Sequence, residues 1–447
     1  MTQTTAATSR EAALYRRRTA ASRRLFTEAR EYLPGGDSRS TLFYHPYPAV
    51  MDRGEGCWLF DLDGNRLLDL TGNHSSLIHG YGHPSILDAV QRQLRKGTCF
   101  PGSTEAQVHL ARLLCRRIPS LERVRFANSG TEAAMNATRA ARAFTGRAGI
   151  AKVEGGYHGT ADEFMVSVHP PKADAGPRSR PSSVAGSLGL APEAAGHVVV
   201  LPFNDPDGAA EVIESARDRL AAVVVEPVLG SAGMIPAEQD YLERLREVTS
   251  RHGIVLIFDE VVSVRVAVGG AQEYFGVQPD LTCLGKLIGG GFSLGAFGGR
   301  SDIMTLFDPS QGKPAIPHPG SYNANPIAMV AGAATLELLT PAAIAQLNAR
   351  GETVRRDLAA TFEEADVAAQ VTGLGSLFAM HLTSQPVRSY RDTMGARSDL
   401  RHQIFLGLYN EGILIDPRGV GTLSTVIDDE GIERFGVALR TVLGRLA

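Results

Sequence analysis

The chain has 447 residues, 43% of them hydrophobic and 21% charged, with a formal net charge of −3. This length supports a large core in two or three domains, and this charge balance argues against nucleic acid or an anionic membrane surface as the main partner. No apolar run approaches the ~20 residues that span a bilayer, and Cys57, Cys99, Cys115 and Cys283 fall in no paired or metal-binding spacing, which fits a reducing cytoplasm.

In chain order, the first 30 residues are rich in Arg, Ala, Ser and Thr without an apolar signal core, and predict an amphipathic entry helix. They open an arm, residues 1–76, in which "GCWLFDLDGNRLLDLTG" predicts a hairpin turning at Asp63-Gly64. From 77 to 331, short β-branched runs alternate with helical patterns, the signature of a largely parallel sheet covered by helices in one large α/β domain. The predicted strands are "RVRFA", "GIAKV", "HVVVL", "AAVVVEP", "IVLIFDE", "LTCLG" and "GAFGG"; helices are predicted over 130–144, 240–252 and 324–338. Residues 169–196, "HPPKADAGPRSRPSSVAGSLGLAPEAAG", are too polar to pack and predict a long mobile loop. From 332 to 447, helices and the runs "SLFAMHL" and "GILID" predict a smaller α+β domain.

Ligands of open α/β sheets bind beyond the carboxyl ends of the strands. "IVLIFDE" places Asp259 and Glu260 at such an end, where an isolated pair is equally well a salt bridge or a helix cap. Lys286 follows "LTCLG" 27 residues after Asp259, enough for one crossover, and Gly289 to Gly291 behind it let backbone approach a ligand. Lysine is scarce here, only Lys96, Lys152, Lys172, Lys286 and Lys313. A lysine that forms a Schiff base with an aldehyde, beside an acid that pairs with a protonated pyridine nitrogen, points to pyridoxal phosphate. "FANSGTEAAMNATRAARAF" runs from a strand through Ser129, Gly130 and Thr131 into a helix, a site for the phosphate, although read alone it is also an ordinary capped turn. In "EGGYHG", Tyr157 can stack on the ring while His158 bonds locally. No nucleotide-type phosphate loop and no H-E-x-x-H occurs. His74, His79 and His83 lack acids at ligand spacing and read as loop packing, so no metal is expected.

These motifs resemble fold-type I pyridoxal-phosphate enzymes, and within them the class III aminotransferases, over most of the chain: "RGEGCWLFDLDGNRLLDL", "HGYGHPSI", "GGYHG", "VVVEPVLG", "FDEV", "PDLTCLGKLIGGG" and "GSYNANP" in family order. The resemblance implies a large domain with a mainly parallel seven-stranded sheet. It makes Lys286 the Schiff-base lysine and proton shuttle and Asp259 the partner of the ring nitrogen, with Val261 and Tyr157 on opposite ring faces and Gly130 and Thr131 on the phosphate. It further implies a homodimer in which Ser321, where relatives carry Thr, reaches the phosphate of the other subunit. Where relatives often have Gln or Asn near the cofactor's phenolic oxygen, this chain offers only Ser231.

Two branches compete for the substrate. Long stretches resemble glutamate-1-semialdehyde 2,1-aminomutase, yet "DEVVSVR" is one residue shorter than in that enzyme, and "GNHSSLIHG" replaces its tryptophan-containing segment. The β-phenylalanine aminotransferase type shares the short segment, the arm pattern seen here as "DSRSTLFY" and the "PRG" of "DPRGVGTLS". That resemblance makes Arg39 the ligand of the substrate carboxylate, places Phe43 and Tyr44 in the pocket and offers Arg418 as a second, mobile arginine. The expectation is a ping-pong amino transfer between a small-molecule amino donor and an oxo acid, with a 3-amino acid as substrate. The alternatives are the aminomutase and a cofactor-binding protein without catalysis.

Overall fold

The computed structural model describes residues 9–310 and 312–446; the start of the expected entry segment, residues 1–8, lies outside the described residues. Two helices, Arg10–Arg18 and Ala20–Tyr32, lead into strands β1 (Met51–Glu55), β2 (Trp58–Asp61) and β3 (Arg66–Asp69). β2 and β3 form the expected hairpin, and Asp61 Oδ1 accepts from Asp63 N and Asn65 N at 3.0 and 2.7 Å, while Gly64 takes φ 83° in the turn.

The large sheet contains β4 (Arg123–Ala127), β5 (Gly149–Val153), β6 (Val198–Leu201), β7 (Leu220–Val225), β10 (Val255–Asp259), β11 (Leu281–Gly285) and β12 (Gly295–Gly299), with the two short strands β8 (Val228–Leu229) and β9 (Ile235–Pro236) pairing apart from it. Its order is β4-β12-β11-β10-β7-β5-β6, and only β12 runs antiparallel to its neighbours. Every residue of β7 and β10 is buried, the continuous apolar run of strands covered on both faces. Helix Gly130–Thr145 lies on one face and meets the sheet with Ala133, Ala137, Ala140 and Ala141. These small side chains let helix and sheet approach closely.

Toward the C-terminus, β13 (Gln370–Thr372), β14 (Leu377–His381) and β16 (Val420–Thr422) form an antiparallel sheet, while β15 (Ile413–Leu414) pairs in parallel with β3 and completes the arm's own sheet. Among the described residues no single helix is long and apolar enough to cross a membrane.

The loop 169–196 is mostly exposed, in line with its polar composition, but it is anchored at several points. Ala175 is fully buried, Val166 bridges Ala185, and the Ser167 hydroxyl donates to Ser182 O at 2.8 Å and accepts from Val184 N at 2.9 Å. Arg391 donates to the carbonyls of Ala175 and Gly176 and forms a two-pronged pair with Glu154 at 2.7 and 2.9 Å. A guanidinium from a distant segment adds to the Ala175 carbonyl, which Ser182 N already meets at 2.9 Å, and satisfies that of Gly176. Its last part, Pro192–His197, is a short helix.

Candidate active site

β10 and β11 are parallel neighbours with Asp259 opposite Cys283, so the crossover returns the chain beside its own start. Lys286 is the first residue past β11 and takes φ 51°, a left-handed conformation that costs a residue with a side chain roughly 1–2 kcal/mol and that clusters at functional sites. Gly290 follows with φ 58°, and a Cβ there would come within 2.4 Å of Ala331 O, so the run needs glycine. Burial pulls the Lys286 amine below its ordinary range, opposed by the charges of Asp259 and Glu226.

The two strand-end acids diverge. Asp259 Oδ2 lies 2.8 Å from His158 Nδ1, both buried, and its Oδ1 accepts from Val261 N at 3.1 Å. Glu260 turns the other way and accepts from Gln272 N and Nε2 at 3.2 and 2.9 Å, holding the start of helix Ala271–Phe275. Of the readings open for this pair, Glu260 takes the helix cap, while Asp259 shares a hydrogen bond with His158, whose burial favours the neutral imidazole. A third buried acid, Glu226, stands one residue past β7 and accepts from Tyr157 N and Gly230 N at 2.8 and 3.1 Å. Burial and the neighbouring charge of Asp259 push its carboxyl up to about 8.

Tyr157, 41% exposed, and His158 ride on the turn after β5. That turn is pinned from below by another lysine, which is fully buried: Lys152 donates to Gly156 O at 2.8 Å and Val166 O at 2.6 Å. Burial drops its amine to about 7 against the pull of Glu226 and Glu154. Two carbonyls occupy it and no surface reaches it, whereas Lys286 sits at a strand end.

Ser129 caps helix Gly130–Thr145, its hydroxyl accepting from Glu132 N at 3.2 Å, while Glu132 accepts from Asn128 N at 2.7 Å. The first bond of the helix runs from Ala133 N to Ser129 O. The amides of Gly130 and Thr131 therefore precede the helix's own ladder and stand at its positive end, free for an anion. Gly295 of β12 pairs with both Ala127 and Gly285, which sets three strand ends in one row. Val261 covers this row: a Cβ on Gly130 would be 3.1 Å from one of its methyls, and one on Gly285 3.4 Å from the other. Thr131 Oγ1 accepts from Thr160 N at 3.3 Å, which ties the tyrosine turn to the helix start.

The remaining expected residues are spread more widely. Arg39 is exposed on the arm, and its Nη1 donates to Asn73 Oδ1 at 2.9 Å. Phe43 is half-exposed and meets His45 edge-on. Tyr44 faces inward: its hydroxyl bonds Tyr15 OH and Ala49 N at 3.0 and 2.8 Å, and its ring packs on Phe405. Its phenol is thereby committed to fixing the arm. Arg418 holds Asp416 through Nε and Nη2 at 2.8 and 2.9 Å and touches Ser231 Oγ at 3.5 Å. Ser321 is exposed, its carbonyl 3.6 Å from Cys99 Sγ. Of the histidines, His79 bonds Thr425 Oγ1 and Thr335 O at 2.9 and 3.0 Å, a packing task.

A half-buried amine at a strand end, a carboxylate with acceptor capacity to spare, two free helix amides, a valine floor and a half-exposed ring make a donor set that fits a flat phosphorylated pyridine aldehyde. Sequence reasoning passed over Glu226, the His158–Asp259 contact, Lys152 and Asn73. Glu226 had the same signal as Asp259, an acid ending an apolar strand. Lys152 had none, since a lysine within "GIAKV" reads as a surface residue.

The chain matches the family model "Aminotransferase class-III" over residues 42–438. It is 41% identical to a β-phenylalanine transaminase of Variovorax paradoxus, covering 95% of this chain and 93% of that one. It is 39% identical to a glutamate-1-semialdehyde 2,1-aminomutase of Methanothermobacter thermautotrophicus, covering 95% and 99%. An ω-transaminase structure from Sphaerobacter thermophilus superposes with a TM-score of 0.93 at 45% identity, covering 96% and 99%. The chain belongs to the class III aminotransferases, pyridoxal-phosphate enzymes that transfer amino groups.

Proposed function

We propose that this enzyme moves the amino group of a 3-amino acid to an oxo acid, with the substrate carboxylate on Arg39. The observation that carries this reading is the contrast between two arginines. Among the described residues no carboxylate pairs with the Arg39 guanidinium, which bonds only the neutral amide of Asn73, whereas Arg418 is already neutralised by Asp416. An incoming carboxylate gains a charge-assisted bond at Arg39 without displacing another acid. The similarity to a β-phenylalanine transaminase agrees with this choice.

Bound pyridoxal phosphate supplies an electron-accepting ring and an aldehyde that takes up the amino group. Asp259, oriented by His158 Nδ1 and Val261 N, holds a proton on the ring nitrogen. Gly130 N and Thr131 N bind the phosphate at the helix terminus. Val261 and Tyr157 clamp the ring. Lys286, its amine favoured in the neutral form by burial, would hold the cofactor's aldehyde and, when freed, would carry the proton removed from the amino-bearing carbon of the substrate. Ser321 completes the phosphate site of a second copy in a homodimer, which accounts for its exposed position in a single chain.

The second reading is aminomutase activity, favoured by 39% identity to an aminomutase. Lys286 and Asp259 serve both reactions; release of an oxo acid separates them. A cofactor-binding protein without catalysis is disfavoured by the intact set around Lys286. Arg39→Ala tests the proposal: KM for a 3-amino acid should rise about tenfold or more with a smaller change in kcat. Unchanged KM would remove Arg39 from the substrate site.

A further inference from the structure

Gly72-Asn73-His74-Ser75 has no part in the cradle just described, yet it is the most strained stretch beside it. The four residues take φ of 49°, 49°, 55° and 72°, a left-handed turn in which three members carry side chains. Asparagine and histidine tolerate that region better than most residues, and serine does not. The turn is held in place from both ends: Asp69 Oδ1 accepts from Thr71 N and Oγ1, both at 2.7 Å, and Ser75 N and Leu77 N donate to Thr71 O and Gly72 O, both at 2.9 Å. Strain that the surroundings enforce so firmly is the kind that functional segments retain.

The consequence of the reversed hand is that consecutive side chains reach separate arginine systems. Asn73 Oδ1 accepts from Arg39 Nη1 at 2.9 Å, and His74 Nδ1 lies 3.5 Å from Asp416 Oδ2, the acid paired with Arg418. The turn also lies against the segment Lys286–Gly289, which sets it beside the chemistry. Arg39 has no other side-chain anchor among the described residues, and the 3-10 turn that follows it, Ser40–Leu42, is short and exposed.

We propose that Asn73 is the positioning residue for Arg39, an uncharged anchor that fixes the guanidinium at the cleft while leaving its charge available to a substrate carboxylate. This rests on the reading of Arg39 as the carboxylate ligand. An amide oxygen occupies one N–H of the guanidinium and leaves the others for bidentate contact. An aspartate at the same place would satisfy the fork itself and compete with substrate. The turn therefore explains why a neutral residue that accepts left-handed geometry stands opposite the arm arginine.

The experiment compares Arg39→Ala, Asn73→Asp and Asn73→Gly with the parent enzyme, each loaded with cofactor, using 3-amino-3-phenylpropanoate as donor and pyruvate at saturation as acceptor. Aspartate and glycine both accept the backbone of the turn, so the visible absorption of the lysine-bound cofactor reports an intact fold. The proposal expects Asn73→Asp to raise KM for the donor about tenfold, matching Arg39→Ala, and Asn73→Gly to raise it by a few-fold, with kcat changed less than KM in both. If Arg39→Ala raises KM and Asn73→Asp leaves it within twofold, the role given to Asn73 is overturned. If kcat falls as steeply as KM rises, or the cofactor absorption is lost, Asn73 is only structural and the proposal is again overturned. If Arg39→Ala itself leaves KM unchanged, the underlying reading of Arg39 fails.

Discussion

Among the described residues Lys152 is fully buried and Lys286 half-buried, and their surroundings sort them. Lys152 is fixed by two carbonyls inside β5, while Lys286 stands past a strand end in a left-handed conformation with Asp259 and Glu226 acting on its amine. Lys286→Ala should abolish the visible absorption of the lysine-bound cofactor and lower turnover by about 10²–10⁴-fold or more; absorption identical to the parent would move the role elsewhere. Glu226 gives a pH prediction. Its folded carboxyl is raised from 4.5 to about 8, so between those limits the folded protein holds a proton that the unfolded chain has lost, and stability falls as pH rises through that window. The ceiling for one group is about 1.4 kcal/mol per pH unit. Glu226→Gln lacks this loss, so the melting temperature of the variant minus that of the parent should increase from pH 5 to pH 8, as read by thermal denaturation at each pH; a flat difference would contradict the account. Asp259 and Lys286 were legible because acid and lysine are conspicuous at the ends of apolar strands. Asn73 was not, since its role depends on a backbone hand that no local pattern announces.

Strands β5 and β11 begin and end where their apolar runs do, because buried parallel strands leave little room for ambiguity. The rank of the strands in the sheet is a tertiary fact, and with it the row of ends formed by Ala127, Gly295 and Gly285. Gly295 shows how tight that row is: a Cβ there would stand 2.0 Å from Ser129 O. Gly295→Ala should push the capped turn away from its place, cost ~1–3 kcal/mol and weaken retention of cofactor on gel filtration. Full retention with unchanged stability would show that the turn can yield.

At the scale of the molecule, distant segments close on one another: β15 completes the sheet of the arm, and Arg391 ties β5 to the 169–196 loop. Most of that loop is exposed, as its composition suggests, while its anchor at Arg391 was not legible because it lies more than 200 residues away in sequence. Removing one member of a buried pair costs about 3–5 kcal/mol, and with side-chain exposures of 14% for Arg391 and 5% for Glu154 the lower end applies. Arg391→Ala should open the loop to limited proteolysis while the parent resists. The central claim, amino transfer from a 3-amino acid, is tested most directly by a half-reaction. The parent enzyme, loaded with cofactor and given 3-amino-3-phenylpropanoate without acceptor, should lose the lysine-bound absorption and release one equivalent of 3-oxo acid per site. No spectral change with that substrate, together with conversion of glutamate-1-semialdehyde to 5-aminolevulinate without a donor, would contradict it.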